Sequence, residues 1–455
     1  MEKTLTGQAA ASKRNLLMFL LPSLAGILLF MTPVSYNGDL TILIAVLAKA
    51  LQAALEGWLT TIVTVLITAS ALISLLVSLF RPAAIMRSPF LNTLFNVRPV
   101  WLLSRVLGAA FVLMVFTQSG PDILYSGDTG GLVLNDLLPV LFAVFIFAGL
   151  LLPLLLDFGL LEFVGTLLTG LMRPVFRLPG RSAVDCMASW LGDGSVGILL
   201  TSKQYEGHYY TQREAAVIGT TFSAVSITFS LVVLAQVKLE HMFVQFYLAV
   251  CLAGIVAAIV VPRLPPLCWK KDTFINGEPR PANDETTPAG YSRLGHGFEL
   301  ALARAGKVQG LGQVARTGVH NALDMLFGVL PVVMAFGTLA LVIAETTPLF
   351  TWLGLPFVPL LELLQIPEAA AASETIVVGF ADMFIPAILA TSIESDLTRF
   401  VIAALSVTQL IYMSEVGALL LGSKIPVNIV ELFVIFLLRT LVTLPVIALI
   451  AHLVF

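Results

Sequence analysis

Cys186-Met-Ala-Ser-Trp-Leu-Gly-Asp-Gly-Ser-Val-Gly-Ile-Leu-Leu-Thr201 is an apolar segment broken at its middle, and that break decides the fold. Gly192 and Gly194 free the backbone so that a half-helix can end and its amides can face a ligand. Asp193 stands between them, at a depth where a carboxylate is costly unless it faces a cavity or a partner. The plainer alternative for Asp193 is a cap on the helix that follows. A second stretch has the same character: Ser373-Glu-Thr-Ile-Val-Val-Gly-Phe-Ala-Asp-Met-Phe-Ile-Pro-Ala-Ile-Leu-Ala-Thr391. Working outward, each is preceded by Leu-Pro-Val (from Leu138 and from Leu330), an apolar helix, and an amphipathic stretch with Leu178-Pro179 or Ile366-Pro367. Each is followed by a base, Arg213 or Arg399, and two long apolar helices, with an offset that stays near 190 residues. Order, spacing and polar interruption together read as an internal repeat.

The surrounding composition sets the solvent. Of 455 residues, 58% are hydrophobic and 12% charged, against about 25% charged in a soluble domain. That leaves too little polar surface to cover a water-soluble globule. The chain reads as an all-α, polytopic helical membrane protein, with two inverted repeats containing re-entrant or broken helices. Apolar runs near 15–31, 57–80, 100–117, 132–156, 214–236, 241–261, 319–345, 398–421 and 427–454 approach or exceed the roughly 20 residues a spanning helix needs. None shows the alternation of a membrane barrel. The first run lacks an A-x-A cleavage site and reads as an uncleaved helix. Cys186, Cys251 and Cys268 have no spacing that implies a disulfide framework or a thiolate site.

Basic residues in short loops give orientation. Lys3, Lys13 and Arg14 place the N-terminus in the cytoplasm, and Arg81, Arg87, Arg98 and Arg105 mark the next cytoplasmic connection. Asp122, Asp128 and Asp136, with no base among them, mark an outer loop, and Arg173, Arg177 and Arg181 return inside. The hydrophilic stretch near 262–318 is cytoplasmic, with a polar helix expected over 293–318. Parity then requires the segment 40–55 to be partial and 183–213 to turn back within the membrane. Non-helical backbone at that depth survives only where protein or a watery cavity satisfies it. Four parts follow: an N-terminal scaffold 1–131, a first repeat 132–262, the cytoplasmic loop 263–318 and a second repeat 319–455.

Leu138 starts on the outer side and Leu330 nearer the inner side, so the repeats are expected to be inverted. This is the arrangement in which secondary transporters build a midplane site. Candidate solute-binding residues are Ser189, Asp193, Gly194 and Ser195 in the first interruption and Ser373, Glu374, Thr375 and Asp382 in the second, with Glu415 on a later helix. Glu374 and Asp382, eight residues apart, would lie near one face of a continuous helix, or else at the outer water interface. Arg439 is a candidate ion-pair partner for Glu431 or Glu415. Gly192, Gly194 and Gly197 fit GxGxxG, but without a preceding strand the dinucleotide reading is a coincidence. The five histidines lack metal-ligand spacing, and no Ser-His-Asp or P-loop pattern points to an enzyme. No cofactor and no nucleic-acid partner is expected, and the coupling ion would be H+ or Na+.

Leu29-Phe-Met-Thr-Pro-Val-Ser-Tyr-Asn-Gly-Asp39, the Pro288-Ala-Gly-Tyr291 turn and the two polar interruptions resemble the YjiH family of bacterial inner-membrane proteins. That family carries the nucleoside-recognition, or Gate, domain, also found in concentrative nucleoside transporters, ferrous-iron transport protein B and spore maturation proteins A and B. Ser373-Glu374-Thr375 is similar to the Ser-Glu pair in the nucleoside carriers' second helical hairpin, and Asp193-Gly-Ser195 falls at the comparable place in the first. The carriers' fuller asparagine- and glutamine-rich motifs are absent here. The resemblance implies a permease for a nucleoside-like or other small polar solute in the inner membrane. It also implies work beside a smaller Gate-domain partner similar to YjiG, or as a homo-oligomer. The alternative is a non-transporting scaffold or sensor subunit built with such a partner.

Overall fold

The computed structural model describes residues 13–36, 39–191, 194–222, 227–281 and 291–455. Gly192 and Asp193 therefore lie outside the described residues, as does most of the Pro288-Ala-Gly-Tyr291 turn. The described chain is almost wholly helical. Among the described residues, seven helical stretches are long and apolar enough to cross a membrane: Lys13–Phe30, Leu59–Phe80, Pro99–Thr117, Asp122–Leu156, Phe243–Arg263, Leu311–Thr346 and Ile429–Val454.

The N-terminal part holds α1 (Lys13–Phe30), a hairpin of β1 (Pro33–Tyr36) and β2 (Asp39–Ile42), then α2 (Leu43–Ala54), α3 (Leu59–Phe80) and α4 (Pro99–Thr117). In the hairpin Pro33 lies opposite Ile42. With its 12 residues, α2 is about 18 Å long and cannot span the roughly 30 Å hydrocarbon core, which answers the parity requirement at 40–55. Leu17, Leu21, Leu24 and Leu28 form an exposed stripe on α1, and Val244, Leu248 and Leu252 form one farther along the chain. Leucine rows at helical spacing facing outward are what a lipid-contacting shell presents.

Two runs of elements then share an order. The first comprises α5 (Leu138–Leu151), α6 (Leu160–Phe176), α7 (Ser182–Leu191), α8 (Gly194–Glu206), α9 (Gln212–Val217), α10 (Ile227–Gln236) and α11 (Phe243–Val260). Two helices lead on from there, α12 (Arg293–Gly306) and α13 (Leu311–Asp324). The second run comprises α14 (Leu330–Thr346), α15 (Ala369–Ile376), α16 (Ile385–Ala390), α17 (Asp396–Gln409), α18 (Val416–Gly422) and α19 (Ile429–Val454). The polar helix expected over 293–318 is thus two helices, and the second continues into a membrane span.

Both Leu-Pro-Val signatures carry the same local feature. A π turn, Val133–Leu137, immediately precedes α5, and another, Met325–Val329, immediately precedes α14. Pro139 and Pro331 lack an N–H and would clash with the carbonyl four residues back, so a wider turn absorbs each without ending the helix. Close packing of these central helices uses small residues, as membrane helix interfaces do. A Cβ on Gly149 would sit 2.6 Å from the Ala322 backbone, and one on Gly108 would collide with the Pro331 carbonyl.

The run 214–236 is α9 with its π-turn extension Ile218–Phe222 and then α10, with residues 223–226 outside the described ones; the run 398–421, expected as one long helix, is broken into α17, a non-helical stretch and α18. That break starts at Leu410, whose φ of 64° no right-handed helix accommodates.

Candidate functional site

The first interruption folds as a helical hairpin. Ser189 of α7 faces Gly197 of α8, where an added Cβ would sit 2.6 Å from the Ser189 Cβ. Four residues farther from the tip on each arm, Thr201 Oγ1 donates to Asp185 Oδ2 at 3.0 Å. These pairings are centred on position 193, so the arms run antiparallel. Gly197 lets them close, and Asp185, only 1% exposed, is held by Thr201 across the hairpin. Trp190, next to the tip, donates from Nε1 to Phe222 O at 3.2 Å and so ties the hairpin to the π-turn extension of α9.

The second interruption is tied to the broken helix α17–α18 in a parallel way. Gln409 Nε2 donates to Ile376 O at 3.0 Å. Beyond the break, Met413 N donates to Phe380 O at 2.7 Å and Ser414 N to Ala381 O at 2.9 Å. Ser414 Oγ donates to Asp382 Oδ2 at 2.6 Å, and Phe384 N to Asp382 Oδ1 at 2.7 Å.

A single arginine joins the π-turn extension of α9 to the end of α17. Arg439 of α19 is 2% exposed. Its Nε donates to Thr408 O at 3.0 Å and Gln409 O at 3.1 Å, and its Nη2 to Thr408 O at 2.6 Å. Its Nη1 donates to Thr220 O at 3.3 Å and Thr221 O at 3.1 Å. These carbonyls lie in the π-turn extension of α9 and at the end of α17, where helix dipoles place negative charge. The planar, multiply donating guanidinium suits four carbonyls from two elements. The ion pair expected between Arg439 and Glu431 or Glu415 is therefore corrected. Glu431 instead pairs with Lys270 at 2.7 Å, and Glu415 accepts from Tyr412 Oη at 2.9 Å. Carbonyls at the end of a helix compete for a buried cation, and no spacing rule in the sequence announces them.

The pieces are cross-packed. The first interruption contacts the π-turn end of α9 and also α18; the second contacts α17 and also α10. Each interruption thus touches its own run of elements and the other. A small cavity of about 40 Å³ opens where Trp190, Thr221, Thr408 and Arg439 meet.

A larger cavity, about 120 Å³, lies along α8. Ser195, Ser202, Lys203 and Glu206 line it from the hairpin, Asp324 from the end of α13, Gly328 from the π turn before α14, Arg105 from α4, and Lys424 from the turn after α18. Lys203 Nζ lies 2.6 Å from Asp324 Oδ2 and 3.1 Å from Glu206 Oε2. One ammonium thus bridges the hairpin to the end of α13.

The sequence candidates fare unevenly. Ser195 is buried and lines the larger cavity; Gly194 opens α8; Ser189 packs inside the hairpin. Ser373 and Thr375 are buried, with hydroxyls donating to Ala370 O and Ala372 O of their own helix. The Glu374 side chain is exposed, whereas Asp382 and Glu415 are half-buried. Glu374 and Asp382 do not share one helical face, because α15 ends at Ile376 and a 3-10 turn, Val378–Phe380, intervenes. Sequence reasoning missed Lys203, Asp324, Gln409 and Asp185. It also used Arg105 as a loop marker, whereas this residue is 4% exposed inside α4. The available signal was a charge within an apolar helix, the ground already used for Asp193.

Residues 138–240 match the family model described as Gate, nucleoside recognition. The chain is 50% identical over 441 residues to a protein of Alkalihalophilus pseudofirmus named Uncharacterized protein BpOF4_10220, covering 97% of this chain and 95% of that one. No solved structure matches the chain.

Proposed function

Because the chain belongs to the same family as that Alkalihalophilus pseudofirmus protein and carries a Gate domain, we propose that it is a secondary transporter that moves a small polar, nucleoside-like solute across a bacterial inner membrane. One observation carries the reading: two polar interruptions, one of them a helical hairpin, cross-packed with α9, α10 and the broken helix α17–α18, and the buried Arg439 binding carbonyls at the end of α17 and in the π turn after α9. A continuous bundle would need no such arrangement. Interrupted backbone deep in an apolar protein is stable only where protein or a polar cavity satisfies it, and paired interruptions are how carriers form a site that can face either side.

In this reading the solute binds between the two interruptions, beside Ser189, Asp193, Gly194 and Ser195 on one side and Ser373, Glu374, Thr375, Asp382 and Glu415 on the other. The cross-packing supports repeats related by inversion. A cytoplasmic N-terminus and a cytoplasmic 263–318 loop rest on the basic residues of the short loops. Transport would be driven by an H+ or Na+ gradient.

The test is uptake into proteoliposomes of nucleosides, bases and small organic acids under each ion gradient. We expect uptake above empty liposomes for at least one solute, falling at least tenfold in Asp382→Asn. Folded protein that moves none of them under either gradient would sink the carrier reading and leave the non-transporting subunit.

A further inference from the structure

We infer that the cavity along α8 is a binding site for a small oxyanion, a carboxylate or phosphate monoanion, with Arg105 as its principal contact. The inference goes beyond the transport reading, since of the solute-binding residues proposed there only Ser195 lines this cavity. It stands on the charges around one cavity. Arg105, Lys203 and Lys424 face Glu206 and Asp324 there. Both carboxylates already bind Lys203, so neither is free to neutralise a second cation fully. Arg105 is 4% exposed, and its one side-chain hydrogen bond among the described residues goes from Nη1 to the neutral Ser74 Oγ at 2.7 Å. Neither Arg105 nor Lys424 has a carboxylate within ion-pairing distance among the described residues.

A guanidinium held in a membrane helix without a carboxylate partner is expensive unless something else supplies negative charge. Five donors in a planar fork match the two-oxygen edge of a carboxylate or phosphate. Ser195 and Ser202 add hydroxyls to the same wall. The cavity, about 120 Å³ in volume, has room for a solute of a few heavy atoms. A neutral nucleoside would offer the Arg105 guanidinium no charged partner in direct contact. The Lys203 bridge ties the site to the hairpin, so an arriving anion would change the electrostatic balance holding α8 to the end of α13.

The experiment is equilibrium binding to the purified full chain in lipid nanodiscs, using [14C]acetate and [14C]lactate as carboxylate probes, [33P]phosphate, and [3H]uridine as the neutral arm. We expect saturable binding of at least one oxyanion. It should weaken at least tenfold in Arg105→Gln and about threefold in the exposed Lys424→Gln, which serves alone if Arg105→Gln does not fold. The carboxylate and phosphate arms decide which oxyanion it is. No saturable oxyanion binding, or binding unchanged in the folded variants, overturns the inference, as does uridine binding without oxyanion binding. Arg105-dependent oxyanion binding without uptake in proteoliposomes would uphold the site and reject transport, whereas uridine uptake that survives Arg105→Gln would do the reverse.

Discussion

Arg439 shows how one residue can decide two elements. Its guanidinium donates to the buried carbonyls of Thr220, Thr221, Thr408 and Gln409 from two separate elements. Leaving a buried acceptor unsatisfied costs about 1–3 kcal/mol per group. Arg439→Met should therefore lower stability by at least about 3 kcal/mol, read as a drop in the thermal midpoint of the purified protein. Arg439→Lys should recover only part, since a compact ammonium cannot reproduce the fork; a midpoint unchanged in Arg439→Met would remove its role as the joint. Lys203 invites a different measurement because its partners are charged. Lys203→Gln and Asp324→Asn should each destabilise the protein, and the double variant should be less destabilised than their sum, with a coupling of about 1–3 kcal/mol. Strict additivity would mean that the bridge at 2.6 Å contributes nothing measurable.

At the scale of elements, the hairpin of α7 and α8 depends on one absent side chain. Val at position 197 would place its Cβ 2.6 Å from that of Ser189, and the arms would have to part. Overpacking of this kind costs about 1–3 kcal/mol. Gly197→Val should also loosen the Thr201–Asp185 contact, so hydrogen exchange over α7 and α8 should rise while exchange over α19 stays low. Equal exchange in both proteins would show that the arms are not held by this contact. The π turns before α5 and α14 each lead into a proline, Pro139 or Pro331, that has no N–H to return to the turn behind it.

For the whole molecule the open quantity is sidedness. With Cys186, Cys251 and Cys268 replaced by Ser, single cysteines at the exposed positions Asn276 and Glu394 should react with a membrane-impermeant maleimide from opposite faces in intact spheroplasts, Glu394→Cys from outside and Asn276→Cys only after lysis. Labelling of both from one side would contradict the inverted arrangement. A good share of the architecture was legible beforehand. Parity required 40–55 to be short and 183–213 to double back, and the 12-residue α2 and the α7–α8 hairpin meet that requirement. The candidate site was legible only in part. Ser195 reached a cavity and Asp382 reached a helix break, but the broken helix α17–α18 itself read as a continuous apolar run.

That boundary has a physical cause. Hydrophobicity and basic loop residues act locally or through the solvent, so the sequence alone determined that this is a helical membrane protein. Where a carbonyl, ammonium or guanidinium finds its partner depends on which helices are brought alongside. The α9 and α17 carbonyls meet Arg439 across more than two hundred and about thirty residues respectively, and Lys203 meets Asp324 across 121. Only tertiary packing decides such pairings, because the low dielectric of the interior makes any nearby complementary group worth more than the one closest in sequence.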